Sequence, residues 1–316
     1  MSETTISRRQ MIATVGLCAG AALLPSRSAH AARTRSGTDA TFTTKDDTKL
    51  YYKDWGEGQP VVFSHGWPLS SDAWEDQMRF LAARGYRCIA HDRRGYGRSE
   101  QPWNGNDMTT HADDLAGLVR ALELKAVIHV GHFSGAGEVA RYIGRYGTGR
   151  VSKVVFISAV PALLAGGSST QSSSPVPVFD EIRAGLLADR AEFFREFSAP
   201  YYGVNRPGAT ASQGLRDSFW VQAMHAGHKA AVDGVKAFLE AHYTADLQRI
   251  DVPTLILHGG DDQIVPLGAS ALRSAELLCG ADYRIYEGAP HGICSTLKDR
   301  VNADLLRFVS DGSSPD

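Results

Sequence analysis

The chain has 316 residues, 43% of them hydrophobic, with 33 Lys and Arg against 35 Asp and Glu for a formal charge of −2 at pH 7. That length can bury a sizeable core, and the absence of a basic block argues against a nucleic-acid partner and for a small molecule.

The first segment reads as an address rather than as fold. Ser7-Arg8-Arg9-Gln10-Met11-Ile12 is a twin-arginine start, a Gly/Ala-rich apolar run continues from Met11 to Leu24, and Ala29-His30-Ala31 before Ala32 is a small-x-small cleavage site. The run is shorter than the roughly 20 residues that span a bilayer. The expectation is a signal peptide over 1–31, an α/β core over 32–160 and 251–316, a helical lid over 161–250, and a periplasmic or secreted protein without a membrane span. Removing the first 31 of 316 residues leaves 285 and takes the charge from −2 to −4, because the segment holds three arginines and one glutamate. Cys88, Cys279 and Cys294 remain, an odd number without metal-ligand spacing, so at least one thiol stays free in an oxidising compartment.

Taken in order, Thr41 to Thr44 and Lys49 to Trp55 are predicted to form a hairpin, and Gly56-Glu57-Gly58 turns into the apolar strand Pro60 to Ser64. His65-Gly66-Trp67-Pro68 follows, a loop that can point a backbone N–H at a developing oxyanion. Ser71 to Arg84 has helical spacing with Ser71 as its cap, and Arg87 to Ala90 is the next strand. The charged loop His91 to Ser99 lacks the Gly-Lys-Ser/Thr of a phosphate-binding loop and is expected to be structural, with internal ion pairs. Thr109 to Leu122 is a helix, and Ala126 to Val130 a strand that leads into Gly131-His132-Phe133-Ser134-Gly135-Ala136-Gly137.

This stretch has the layout of a nucleophile elbow, a strand-to-helix turn so tight that only small residues fit two positions either side of its tip. The pattern asks for Gly-x-Ser-x-Gly, but the middle of the Gly131 to Gly135 frame is Phe133, and Ser134 stands one residue late. Helix Gly137 to Tyr146 and strand Val151 to Ala159 continue the alternation, which predicts a mostly parallel sheet with helices on both faces. A Gly/Ser-rich linker (Gly166 to Ser174) then opens an aromatic-rich helical stretch from Phe179 through Trp220. The sheet resumes at Thr254 to His258. Helix Gly268 to Leu278, strand Tyr283 to Tyr286 and helix Leu297 to Val309 close the chain, with Asp261-Asp262 after one late strand and His291 after the next. Nucleophile, acid, base is the chain order of an α/β-hydrolase.

With His65-Gly66-Trp67-Pro68, Asp92-Arg93-Arg94-Gly95-Tyr96-Gly97-Arg98-Ser99, Gly137-Glu138-Val139-Ala140-Arg141-Tyr142, Asp262-Gln263-Ile264-Val265-Pro266 and Ala289-Pro290-His291-Gly292, the chain resembles the cofactor-free (non-haem) chloroperoxidases, perhydrolases and aryl esterases of the α/β-hydrolase fold over nearly all of residues 40–310. The resemblance implies an enzyme that forms an acyl-serine from a small ester and passes the acyl group to water or to hydrogen peroxide, with no haem, metal or other cofactor. It implies His291 as general base, Asp262 rather than Asp261 as the acid that orients it, and the backbone N–H groups of Trp67 and Ser134 as oxyanion donors.

The family's serine falls on Phe133, which has neither a proton to give His291 nor a lone pair for attack. Either the turn slips by one so that Ser134 becomes its tip, with the bulky His132 two before it, or the frame stays and Phe133 fills the pocket floor beside His132. Three functions follow: a small-ester hydrolase or perhydrolase, Asp262/His291 base chemistry alone as in cofactor-free lyases and oxygenases of this fold, or a non-catalytic binder of a small ligand.

Overall fold

In this computed structural model, residues 40–159, 176–208, 211–269, 277–278 and 280–311 are described. The segment expected to be a signal peptide, the Gly/Ser-rich linker, Cys279 and most of the helix expected over 268–278 lie outside them. Strands β1 (Thr41–Thr43), β2 (Lys49–Trp55), β3 (Gln59–Ser64), β4 (Tyr86–His91), β5 (Val127–His132), β6 (Val151–Ile157), β7 (Thr254–Gly259) and β8 (Asp282–Tyr286) form one sheet in the order β1-β2-β4-β3-β5-β6-β7-β8. The β1–β2 and β2–β4 pairs are antiparallel, and every pair from β4 to β8 is parallel, with Val61 opposite both Cys88 and Ile128. Central strands read as continuous apolar runs because both faces are covered. Successive residues therefore enter different cores: Val62, Ile89 and Phe156 pack with one set of helices, while Val61, Phe63, Cys88 and Val130 pack with the other.

The helices are α1 (Glu75–Ala82), α2 (Met108–Ala121), α3 (Ser134–Tyr146), α4 (Val176–Tyr202), α5 (Gln213–His225), α6 (His228–Glu240), α7 (Thr244–Leu247), α8 (Ile293–Thr296) and α9 (Lys298–Ser310). Met78 and Leu81 of α1 meet Val301 and Leu305 of α9 beneath one face, and Leu115 and Leu118 of α2 lie with Val139 and Ile143 of α3 beneath the other. Each such fully buried side chain contributes about 1.5–3 kcal/mol. Among the described residues four helices, α4 to α7, lie between β6 and β7 with no strand between them. Within α4, Asp189 leaves the helical region (φ −156°, ψ 93°), and its Oδ1 accepts from the N–H groups of Ala191 and Glu192, capping the second half as a new helix.

Most boundaries shift by one or two residues, and two differ for a reason the side chains show. The turn before α1 is a 3₁₀ segment, Ser71–Trp74, whose cap is Ser70 rather than Ser71: Ser70 Oγ accepts from Asp72 N at 3.3 Å. Helix α3 starts at Ser134, three residues earlier than its sequence pattern suggests, because glycines at 135 and 137 hide the helical period. Parallel strands end together at one edge of the sheet, and the loops after β3, β5, β7 and β8 bring residues 65–67, 133, 262 and 291 to that edge.

Candidate active site

At the junction of β5 and α3 the backbone of Phe133 has φ 50° and ψ −116°. A bulky residue at positive φ costs on the order of 1 to 3 kcal/mol and persists only where neighbours over-determine it. Those neighbours are Gly131 and Gly135. A Cβ on Gly131 would stand 2.6 Å from Ala136 Cα, and one on Gly135 would stand 2.2 Å from Ser64 O, so the two glycines that must be side-chain-free lie two before and two after residue 133. The tip of the turn is therefore Phe133 and not Ser134. The one-residue slip, which would place His132 two before the tip, is not the conformation adopted.

Ser134, the first residue of α3, turns its side chain away from His291. Its Oγ accepts from Trp67 N at 2.9 Å and from Arg93 Nη2 at 3.1 Å. The Trp67 N–H, expected to face a substrate carbonyl, is thus engaged by a side chain of the protein itself. The Trp67 ring is fixed separately, by Nε1–H donating to Ala231 O at 2.9 Å and by edge contacts with Phe194 and Phe197 of α4.

Asp262 and His291 meet. His291 Nδ1 lies 2.8 Å from Asp262 Oδ2, and the other oxygen, Oδ1, accepts from the backbone N–H groups of Ile264 and Val265 at 2.9 and 2.7 Å. Burial alone would raise this carboxyl, but the His291 ring beside it, with His258 and the backbone donors, outweighs that and holds it below the usual carboxylate range. Asp261 points elsewhere: it accepts from Nε and Nη2 of Arg206, at 2.7 and 2.9 Å, near the surface. An Asp262 ion that accepts Nδ1–H leaves the Nε2 lone pair for proton transfer. Nε2 is buried and has no hydrogen-bond partner among the described residues.

Three rings enclose that imidazole: Phe133 in an edge-to-face contact at 4.9 Å, Tyr201 of α4 at 4.9 Å, and His132 at 4.8 Å. Burial, reinforced by the neighbouring His291, lowers His132 to about 3, so it is neutral and acts as an uncharged wall. A cleft of 340 Å³ lies on the far side of the His132 and Tyr201 rings, lined by Gly66, Trp74, His132, Tyr201, Gly292 and Cys294 among others, with His291 behind that wall rather than in it. His132 thus forms part of the cleft wall. Phe133 is not among its walls, because it is 3% exposed and spent on packing against His291. Burial raises the Cys294 thiol well above its ordinary value, so it is no nucleophile at neutral pH.

Arg93 is the group that sequence reasoning passed over. The loop after β4 does pair charges internally, Arg98 Nη1 lying 3.7 Å from Asp92 Oδ2, but Arg94 binds Asp114 and Asp46 outside it, and Arg93, 2% exposed, reaches Ser134 Oγ, His65 Nδ1 (3.3 Å) and Glu138 Oε2 (3.5 Å). The signal that could have found it is a run of two arginines directly after a buried strand, where one of them has no room to reach solvent. Among the described residues no group of three or more His, Cys, Asp or Glu could hold a metal ion, and no helix is long and apolar enough to cross a membrane.

This sheet, its strand order and the residues gathered at its edge are those of an α/β-hydrolase, and residues 59–296 match the alpha/beta hydrolase fold family. A non-heme chloroperoxidase from Streptomyces lividans is 52% identical over 272 residues, covering 85% of this chain and 99% of that protein. The bifunctional esterase/perhydrolase DCH of Acinetobacter calcoaceticus is 47% identical over 270 residues, covering 84% and 98%. The crystal structure of a bromoperoxidase from Bacillus anthracis superposes with a TM-score of 0.81 at 36% identity, covering 86% of this chain and all of that one. The chain belongs to the cofactor-free (non-haem) chloroperoxidase, perhydrolase and aryl esterase family of α/β-hydrolases, a family of enzymes.

Proposed function

We propose that this enzyme hydrolyses or perhydrolyses small esters with His291 as a general base acting directly on water or hydrogen peroxide, Phe133 standing where the family resemblance puts the serine. His291 Nε2 takes the proton as the oxygen nucleophile adds to the ester carbonyl. The intermediate collapses by breaking the acyl C–O bond, and the alkoxide leaves as alcohol with the proton returned from Nε2. Water gives the acid and peroxide the peracid, with no acyl-enzyme in either case. Asp262 holds the ring in the required tautomer, Ser134 stands on the oxyanion side with the Trp67 N–H bonded to its Oγ, and His132 forms a wall. Helices α4 to α7 serve as the lid over this edge, through the Tyr201 contact with His291.

The observation that carries this reading is the His291 imidazole, bound by Asp262 at Nδ1 and without a partner at Nε2 among the described residues. The test is hydrolysis of 4-nitrophenyl acetate with and without hydrogen peroxide. Turnover should be linear from the start, should vanish in His291→Ala, and should leave no serine labelled by a fluorophosphonate. A pre-steady-state burst with Ser134 labelled would replace this reading by a slipped turn with Ser134 as nucleophile. Ligand binding without any turnover would make the chain a binder. We further propose export by the twin-arginine route, with a mature N-terminus near Ala32; full-length chain retaining Met1 in the membrane fraction would count against it.

A further inference from the structure

Ser134 Oγ takes up the Trp67 N–H, the donor that the family resemblance assigns to a substrate's oxyanion. It accepts two hydrogen bonds, one from that N–H and one from the Arg93 guanidinium, and no acceptor for its own hydrogen lies within bonding distance among the described residues. A hydroxyl that accepts from a cation and from a peptide N–H is a stronger donor, because each accepted bond draws electron density from its O–H. The cation is buried and loosely neutralised: Arg93 Nη1 is 3.5 Å from Glu138 Oε2, and that carboxylate's other oxygen lies 2.9 Å from His91 Nε2. Arg93 Nε has no hydrogen-bond partner among the described residues. Ser134 also opens α3, a helix of 13 residues whose N-terminal dipole favours negative charge beside it.

We propose that the side-chain O–H of Ser134, rather than the backbone N–H of Trp67, donates to the oxyanion at this site, and that Arg93 is the positioning residue that fixes and polarises it. This rests on the ester reading above for its catalytic meaning but not for its binding meaning. The site would recognise a tetrahedral oxyanion, and a peptide donor would be relayed to it through a hydroxyl.

The experiment compares wild type, Ser134→Ala, Ser134→Thr and Arg93→Lys in two assays: calorimetric binding of methylphosphonate, and steady-state hydrolysis of 4-nitrophenyl acetate with kcat and KM resolved separately. Alanine is smaller than serine and compatible with the first turn of a helix, so this variant should fold, as circular dichroism will verify. In Ser134→Ala, methylphosphonate affinity should fall on the order of tenfold or more, and kcat by about 10²–10³ with KM little changed, the pattern of a lost oxyanion donor. Ser134→Thr keeps a hydroxyl and should retain most of both, and Arg93→Lys should fall between. Wild type that fails to bind methylphosphonate, Ser134→Ala that binds it within about twofold of wild type, or fluorophosphonate attached to Ser134 would each overturn the proposal. Because calorimetry needs no turnover, a wild type without esterase activity whose phosphonate affinity still drops in Ser134→Ala would remove the ester reading and leave this assignment standing.

Discussion

Replacing Phe133 by serine should raise activity and lower stability together. The Phe133 side chain leaves the tip of the turn toward His291, its ring meeting the imidazole edge to face at 4.9 Å, so a serine Oγ would start along the same vector toward that imidazole, whose Nε2 has no partner among the described residues. An aligned nucleophile and base convert an intermolecular attack into an intramolecular one, with effective molarities of about 10⁵–10⁸ M in the best cases. A gain of about 10³ in kcat/KM is a modest claim on that scale. The stability term has the opposite sign. Phe133 is 3% exposed, and truncating a buried phenylalanine costs about 3–5 kcal/mol; the positive φ is not relieved, since serine also carries a Cβ. For a domain of this size about 3 kcal/mol lowers Tm by roughly 6–12 °C. Stopped-flow release of 4-nitrophenol should show a burst equal to the enzyme concentration in Phe133→Ser and none in wild type, while calorimetry gives Tm. A Phe133→Ser variant with neither burst nor gain, beside a wild type whose activity disappears in Ser134→Ala with Ser134 covalently labelled, would refute the placement of residue 133.

Asp262→Asn should lower kcat by about 10⁴ by releasing the tautomer of His291, whereas Asp261→Asn, which loses only the near-surface Arg206 pair, should leave the rate within about twofold; equal effects on 4-nitrophenyl acetate turnover would contradict the geometry. Burial lowers His111, His129 and His132 to about 3 from an unfolded value near 6.5, so the unfolded chain binds more protons in that window, and their contribution to stability is complete above about pH 6.5 and lost as pH falls toward 3. Each gives a slope of about 1.4 kcal/mol per pH unit there. Urea unfolding from pH 7 to 4 should therefore steepen downward, and His129→Gln should flatten the curve; an unchanged slope would show that His129 titrates in the folded state. Gly135→Ala should fail to fold or lose about 3 kcal/mol or more, since its Cβ would press on the Ser64 carbonyl at 2.2 Å, a backbone atom that cannot rotate aside; a soluble variant with wild-type Tm would show the turn to be looser than described.

What the sequence settled by itself is what depends on neighbours along the chain. Apolar runs of four to nine residues between helical spacings specify a parallel sheet covered on both faces, the frame of Gly131 and Gly135 marks a sharp turn, and acid and base follow in a fixed order after the last two strands. The helix over 134–146 was only partly legible, because glycines carry no periodic signal. What the tertiary structure alone decided is where side chains far apart in sequence point. Ser134 is 67 residues from Trp67 and 41 from Arg93, and no local rule says that its hydroxyl turns to those two partners rather than to His291. The choice belongs to close packing: Ser64 O leaves no room for a Cβ at 135, Ala136 leaves none at 131, and with both glycines fixed the backbone sends residue 133 toward the histidine and residue 134 toward the buried arginine.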